Sequence, residues 1–186
     1  MVLLRPEHSI VFLTGFMGSG KSTTGAYLAE TLGLKFFDLD VEIETRMAKP
    51  IAQIIEDDGY PFFRKLEYEI LKELAQQKFA LIALGGGTIT QDDNLDLVKE
   101  NGVLVCLSAD IKELWRRISE SEKRNLIVGD KLITEEQIYE RIELLMELRK
   151  PFYEMADVFV DTTVKPVEQI VQEIVTQLEI LWYKKG

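Results

Sequence analysis

Apolar residues fall along the chain in two alternating rhythms. Five short runs, "SIVFLT" from Ser9, "KFFDLD" from Lys35, "ALIALG" from Ala80, "GVLVCLS" from Gly102 and "DVFVDT" from Asp157, are nearly continuous in strand-forming residues, as strands buried on both faces are. Between them the apolar positions recur at helical spacing. These segments run from Ser22 to Leu32, over a pair of helices spanning roughly Val41 to Gln76, from Asp92 to Glu100, from Ile111 to Glu120, from Glu135 to Met155, and from about Pro166 to Tyr183. Strands and helices alternating in this way predict a parallel sheet with helices on both faces, an α/β/α sandwich, with ligands at the carboxyl ends of the strands. The least periodic long stretch, "ISESEKRNLIVGDKLITEEQ", is polar and charged around a short apolar patch. It reads either as a plain loop or as a lid, and a lid is the usual reason for so long a loop in a compact domain.

The first strand-to-helix junction breaks the ordinary pattern. In "GFMGSGKSTTG" the turn contains Gly15, Gly18, Gly20 and Lys21 where one glycine would serve, and the spacing fits the phosphate-binding loop G-x-x-x-x-G-K-[ST]. Without Cβ atoms the backbone can wrap an anion and turn its N–H groups inward, and the following helix adds its positive end. Lys21 would reach the β- and γ-phosphates, and the Ser22 hydroxyl would ligate Mg²⁺. A nucleoside triphosphate site follows, but not yet a reaction.

Three further groups of residues suit chemistry beside that loop. Strand two ends in "DLD", and alternate strand positions put Asp38 and Asp40 on one side at the carboxyl edge. One acid can hold Mg²⁺ through water while the other takes or orients a substrate proton; the plainer alternative is a turn or helix-cap signal. Gly85, Gly86 and Gly87 follow a buried strand and imply that something approaches the main chain closely, although a helix-entry turn would also use a glycine or two. Arg64 lies three residues before Glu67, a helical spacing at which the carboxylate can hold the guanidinium. Arg117 and Arg124 bracket the polar loop and Arg149 sits near a helix end; with Arg64 they form either solvated ion pairs or a carboxylate clamp with a phosphate-stabilising finger.

Composition narrows the classes. At 186 residues and 46% hydrophobic, the chain has the size of one well-buried domain. A net charge of −10 argues against nucleic acid or an anionic membrane as partner. The single cysteine, Cys106, lies in the apolar "VLVCL", which leaves neither a disulfide framework nor a zinc site and suits a reducing cytoplasm. "MVLLRPEHSIVFL" is interrupted by Arg5, Glu7 and His8 and carries no signal-peptide core, and no apolar segment approaches membrane-spanning length. His8, the only histidine, reads as a surface residue rather than a general base.

With these pieces in order, the chain resembles the shikimate kinases. The likeness runs from about Ser9 to Pro166 on "GFMGSGKST", "FFDLD", "GYPFFRKLE", "ALGGG", the "RNL" of the polar loop and "LRKPFYEMAD". The resemblance implies transfer of the γ-phosphoryl group of ATP to the 3-hydroxyl of shikimate, giving shikimate 3-phosphate on the route to aromatic amino acids. It implies a P-loop kinase fold with a five-stranded parallel sheet in the order 2-3-1-4-5. Residues 1–186 would form a single domain, with a substrate-binding helical insert at about 41–76 and a mobile lid at about 119–133. A cytoplasmic monomer using Mg²⁺ and ATP, with no nucleic-acid or membrane partner, is the expected form.

Carried over residue by residue, the resemblance has Lys21 and the loop residues Gly15, Gly18, Ser19, Gly20, Ser22 and Thr23 binding the phosphates of ATP, with Arg117 stacking on the adenine side. Ser22 and Asp38 would hold Mg²⁺. Asp40 would bind the shikimate hydroxyls and act as the base, while Arg124 closes over the transferring phosphoryl group. Arg64 and Arg149 would grip the shikimate carboxylate, with Glu67 orienting Arg64 and Gly85, Gly86 and Gly87 passing their backbone along the substrate. The "DTTVKP" turn would skirt the adenine base.

The sequence departs from the family pattern at Asn125, where the lid usually has proline, at Tyr60, where a glutamate usually follows Gly59, and at Ile55, where an aromatic residue commonly lines the shikimate pocket. All three fall on the acceptor side. A P-loop kinase of another small hydroxy acid such as gluconate would share the phosphate loop and the strand-two acid, but the Arg64–Glu67 pair, the glycine triplet and Arg149 suit a compact ring carboxylate better. A catalytically silent nucleotide-binding homologue is the reading from a different class. The altered lid motivates it, and the presence of Asp40 and Arg124 stands against it.

Overall fold

The computed structural model describes residues 10–120 and 134–184. In chain order it contains β1 (Ile10–Thr14), α1 (Lys21–Leu32), β2 (Lys35–Asp38), α2 (Leu39–Met47), α3 (Ile51–Asp58), α4 (Tyr60–Leu74) and β3 (Ala80–Ala83). A 3-10 turn at Thr88–Thr90 leads into α5 (Asp92–Asn101), followed by β4 (Val103–Ser108), α6 (Ile111–Ser119), α7 (Glu135–Tyr153), β5 (Val158–Asp161) and α8 (Val167–Lys184).

The five strands form one parallel sheet in the order β2-β3-β1-β4-β5, the order the family resemblance implies. β1 is central, and all of its residues are buried. Alternation sends Val11 and Leu13 to one face, where they pack with Leu28 of α1 and Ile174 and Leu178 of α8. It sends Ile10 and Phe12 to the other, against Leu39, Ile43, Phe63, Ile70 and Val98 of α2, α4 and α5. A third cluster joins Phe16, Leu114, Ile118, Ile138 and Ile142 and holds α6 and α7 beside the phosphate loop.

Two expectations change at the carboxyl end of β2. The predicted helix pair over 41–76 is three helices, because Ala48 takes a left-handed conformation (φ 50°) before Pro50, and Gly59 turns the chain again at φ 86°. Asp38 and Asp40 are not alternate positions of one strand. β2 stops at Asp38, whose carboxylate accepts hydrogen bonds from the amides of Asp40 (3.2 Å) and Val41 (3.5 Å) and so caps α2. A side chain that satisfies the first helical N–H groups competes with continuation of the strand. Asp40 therefore stands in the first turn of a helix.

α7 remains helical through Pro151 and ends at Tyr153, two residues short of the predicted Met155. The segment read as the core of a lid, residues 121–133 with Arg124 and Asn125, lies outside the described residues, as does His8. Among the described residues, no helix is long and apolar enough to cross a membrane.

The β1–β4 contact leaves no room at the start of β4. A Cβ on Gly102 would stand 2.4 Å from the carbonyl oxygen of Ile10 and 2.9 Å from the Phe12 ring. Gly102→Ala should therefore lower the unfolding free energy by about 1–3 kcal/mol in urea titrations, the usual range for overpacking. A midpoint equal to that of the parent chain would contradict this packing.

Candidate active site

The phosphate loop leaves β1 at Gly15, where φ is 137°. A Cβ there would meet the carbonyl oxygen of Leu107 at 2.1 Å, so the loop is pressed against β4 and only glycine fits. Lys21 folds back across the loop, its Nζ donating to the carbonyls of Gly15 (2.8 Å) and Phe16 (3.1 Å). The Ser22 hydroxyl donates to Asp38 Oδ2 at 2.6 Å, which joins the start of α1 to the end of β2. Gly18, Gly20, Lys21, Ser22, Thr23 and Asp38 all line a cavity of about 490 Å³. Gly15 and Ser19 do not: Ser19 is fully buried behind the loop, and its carbonyl accepts from the Thr162 hydroxyl.

The other end of the same cavity is built on the glycine triplet. An added Cβ on Gly85 would stand 2.9 Å from Asp40 Oδ1, one on Gly86 3.2 Å from Arg149 Nη1, and one on Gly87 3.0 Å from Arg64 Nη2 and 3.6 Å from Arg149 Nη2. Each glycine thus receives a charged side chain from a different helix: Asp40 from α2, Arg64 from α4 and Arg149 from α7. This close approach, more than a turn conformation, explains the run. Ile51, Ile55, Phe63 and Leu84 supply an apolar wall.

Glu67 organises this end without facing solvent. It is 1% exposed and accepts from Arg64 Nη1, from the Thr88 hydroxyl at 2.8 Å and from Asn94 Nδ2 at 3.5 Å. A buried carboxylate is tolerable only with such partners. Burial works against the Arg64 charge, but Glu67 and Tyr60 outweigh it and hold its pKa above the ordinary value. Arg64 Nη2 also donates to the Tyr60 hydroxyl. Tyr153 donates to the Gly86 carbonyl at 2.7 Å, and burial pushes its phenol up to about 12, so it stays neutral.

Sequence reasoning did not single out Thr88, Asn94 or Tyr153. Asn94 lies in the charged stretch "QDDNLDLV", and only its place beside the buried Leu95 and Val98 hints that it faces inward. Tyr153 stood within a family marker but carried no separate signal of its contact with Gly86.

Arg117 lines the phosphate-loop end of the cavity. Its guanidinium donates to Glu113 Oε1 (2.7 Å), the Gly18 carbonyl (3.1 Å), and the hydroxyl (3.1 Å) and carbonyl (2.8 Å) of Thr162. It therefore ties the phosphate loop to α6 and to the end of β5. Hydrogen bonds from Arg116 and then Arg117 hold the Glu113 carboxyl down to about 2 despite partial burial. Cys106 is buried in β4 with its thiol pushed up to about 11 by that burial, an unreactive core residue. Arg124 lies outside the described residues.

The sheet order, the phosphate loop and the cavity spanning the carboxyl ends of β1, β2 and β3 define a P-loop kinase fold. The sequence profile described as shikimate kinase matches residues 17–179. A shikimate kinase of Chlorobium limicola is 41% identical over 170 residues, covering 90% of this chain and 85% of its own. One of Chloroherpeton thalassium is 39% identical over 173 residues, 92% of each chain. The structure of shikimate kinase from Acinetobacter baumannii in complex with shikimate superposes with a TM-score of 0.85 at 31% identity, covering 97% of this chain and 96% of that one. The chain belongs to the shikimate kinase family, whose co-substrate is ATP.

Proposed function

We propose that this protein transfers the γ-phosphoryl group of ATP to the 3-hydroxyl of shikimate, yielding shikimate 3-phosphate and ADP for aromatic amino acid synthesis. The observation that carries the reading is the single cavity that joins a phosphate loop at one end to Asp40, Arg64 and Arg149 at the other. Phosphoryl transfer needs little covalent chemistry from a protein; it needs two substrates held in line and charge stabilised between them.

In this reading Lys21 and the cavity-lining loop residues Gly18, Gly20, Ser22 and Thr23 bind the ATP phosphates, mainly through backbone N–H groups, while Gly15 and Ser19 shape the loop from behind and Arg117 lies on the adenine side. Arg64 and Arg149 grip the acceptor carboxylate over Gly86 and Gly87, and Glu67 fixes the plane of Arg64. Asp40 orients the acceptor hydroxyl and takes its proton as the oxygen bonds to the γ-phosphorus and the bond to the β–γ bridging oxygen breaks. Arg124 stabilises the charge on the transferring group from the lid segment.

Ser22 and Asp38 fit Mg²⁺. Their oxygens meet at 2.6 Å beside the loop, and both are hard donors. That set suits an ion that keeps water and phosphate oxygens as its other ligands. When bound, the ion would neutralise charge on the β- and γ-phosphates. We further read the chain as a single catalytic domain acting as a cytoplasmic monomer, with α2 to α4 as its acceptor-binding insert.

A coupled ADP-release assay with Mg·ATP should show turnover that depends on shikimate and not on gluconate; equal rates with either acceptor or with none would refute the acceptor assignment. In the same assay Asp40→Asn should lower kcat by at least about a hundredfold, the scale of a lost catalytic base. Near-normal kcat in a variant with native circular dichroism would take Asp40 out of that role.

A further inference from the structure

Tyr60 stands where the acceptor pocket opens, and its chemistry is not used by the roles assigned so far. Gly59, at φ 86°, ends α3 and redirects the chain so that Tyr60 opens α4 on the side of the cavity. Arg64 is one helical turn further on, so the two side chains share a face. The guanidinium carbon stands 4.7 Å from the centre of the Tyr60 ring and 5.0 Å from that of Phe63. Arg64 is thus held from two sides, with Nη1 on Glu67 and Nη2 on the Tyr60 hydroxyl.

The direction of the second bond matters. Guanidinium nitrogens only donate, so the phenolic oxygen accepts and its own proton is left to give. Among the described residues no protein group accepts that proton. Tyr60 is 50% exposed, whereas Arg64 beside it presses on Gly87 together with Arg149. An anion seated against Nη2 of the two arginines lies next to the phenol.

We propose that Tyr60 is a specificity-determining residue of the acceptor pocket. Its hydroxyl, oriented by Arg64, donates to the acceptor carboxylate, so that two guanidiniums and one phenol read the anion. This rests on the reading of the pocket as a carboxylate site. The phenol favours an ionised carboxylate over a neutral ester, because a neutral donor bonds a charged acceptor more strongly than an uncharged one. It also replaces water at the exposed edge of Arg64, where the ring shields the ion pair.

Tyr60→Phe keeps the ring and the helix start and removes only the hydroxyl. With saturating Mg·ATP, the KM for shikimate should rise about tenfold, as expected for a lost hydrogen bond to a charged group, while the KM for ATP stays within about twofold. The Ki of shikimate methyl ester as a competitor should rise only about two- to threefold, since the ester carbonyl still accepts from the phenol but carries no charge. That difference is one a merely structural role would not produce. An unchanged KM for shikimate, or equal losses for acid and ester, overturns the proposal while leaving the kinase reading intact. If the parent enzyme releases no ADP in response to shikimate, the acceptor reading fails first and this proposal falls with it.

Discussion

The half of the site that we assign to the acceptor depends on one buried carboxylate. Glu67 is almost wholly removed from water, and its charge requires the hydrogen bonds that Arg64, Thr88 and Asn94 supply. Those partners come from α4, from the turn after the glycine triplet and from α5, so satisfying one anion also fixes three segments relative to each other. Arg64 cannot swing away without leaving Glu67 uncompensated, and Gly87 cannot move without losing the surface on which Arg64 lies. The positions of the arginines are therefore set from inside the fold rather than by whatever binds.

The phosphate half rests on different contacts. There Gly15 is wedged against β4, Lys21 spans the loop carbonyls, and Arg117 ties Gly18 to Thr162. Asp38 and Asp40, at the β2–α2 junction, help bring the two halves together: Asp38 bonds Ser22, Asp40 faces Gly85, and the Arg149 guanidinium lies 5.4 Å from the centre of the Phe16 ring. This division parallels the departures from the family pattern that the resemblance implies. Tyr60 and Ile55 line the acceptor side of the cavity, while the phosphate loop keeps its full spacing. Variation in one half can alter acceptor recognition with little effect on the other.

Much of this was legible in the sequence, because buried parallel strands and a phosphate loop have strong local signatures. The five apolar runs are the five strands, and their order agrees with the family resemblance. The "DLD" reading that put both acids on one strand had the right residues and the wrong local structure; the alternative it left open, a helix cap, is what Asp38 makes. The helix count between β2 and β3 was missed for a related reason: Ala48 ends α2 in a left-handed conformation with no glycine to mark it. Asn94, Thr88 and Tyr153 could not be found, because their importance lies in contacts with Glu67 and Gly86 made across 21 to 67 residues of sequence. The glycine triplet lay between these cases: sequence implied a close approach, and the structure identifies Asp40, Arg64 and Arg149 as the groups that come close.

Calorimetric binding of shikimate and, separately, of an ATP analogue to Glu67→Gln tests the central claim most directly. The substitution keeps the shape of the side chain and removes the charge that holds Arg64. The account predicts that shikimate affinity falls at least about tenfold while nucleotide affinity stays within about twofold, a loss of roughly 1.4 kcal/mol confined to one half of the site. Unchanged shikimate affinity, or equal weakening of both ligands, would contradict the claim that this carboxylate sets the acceptor half alone.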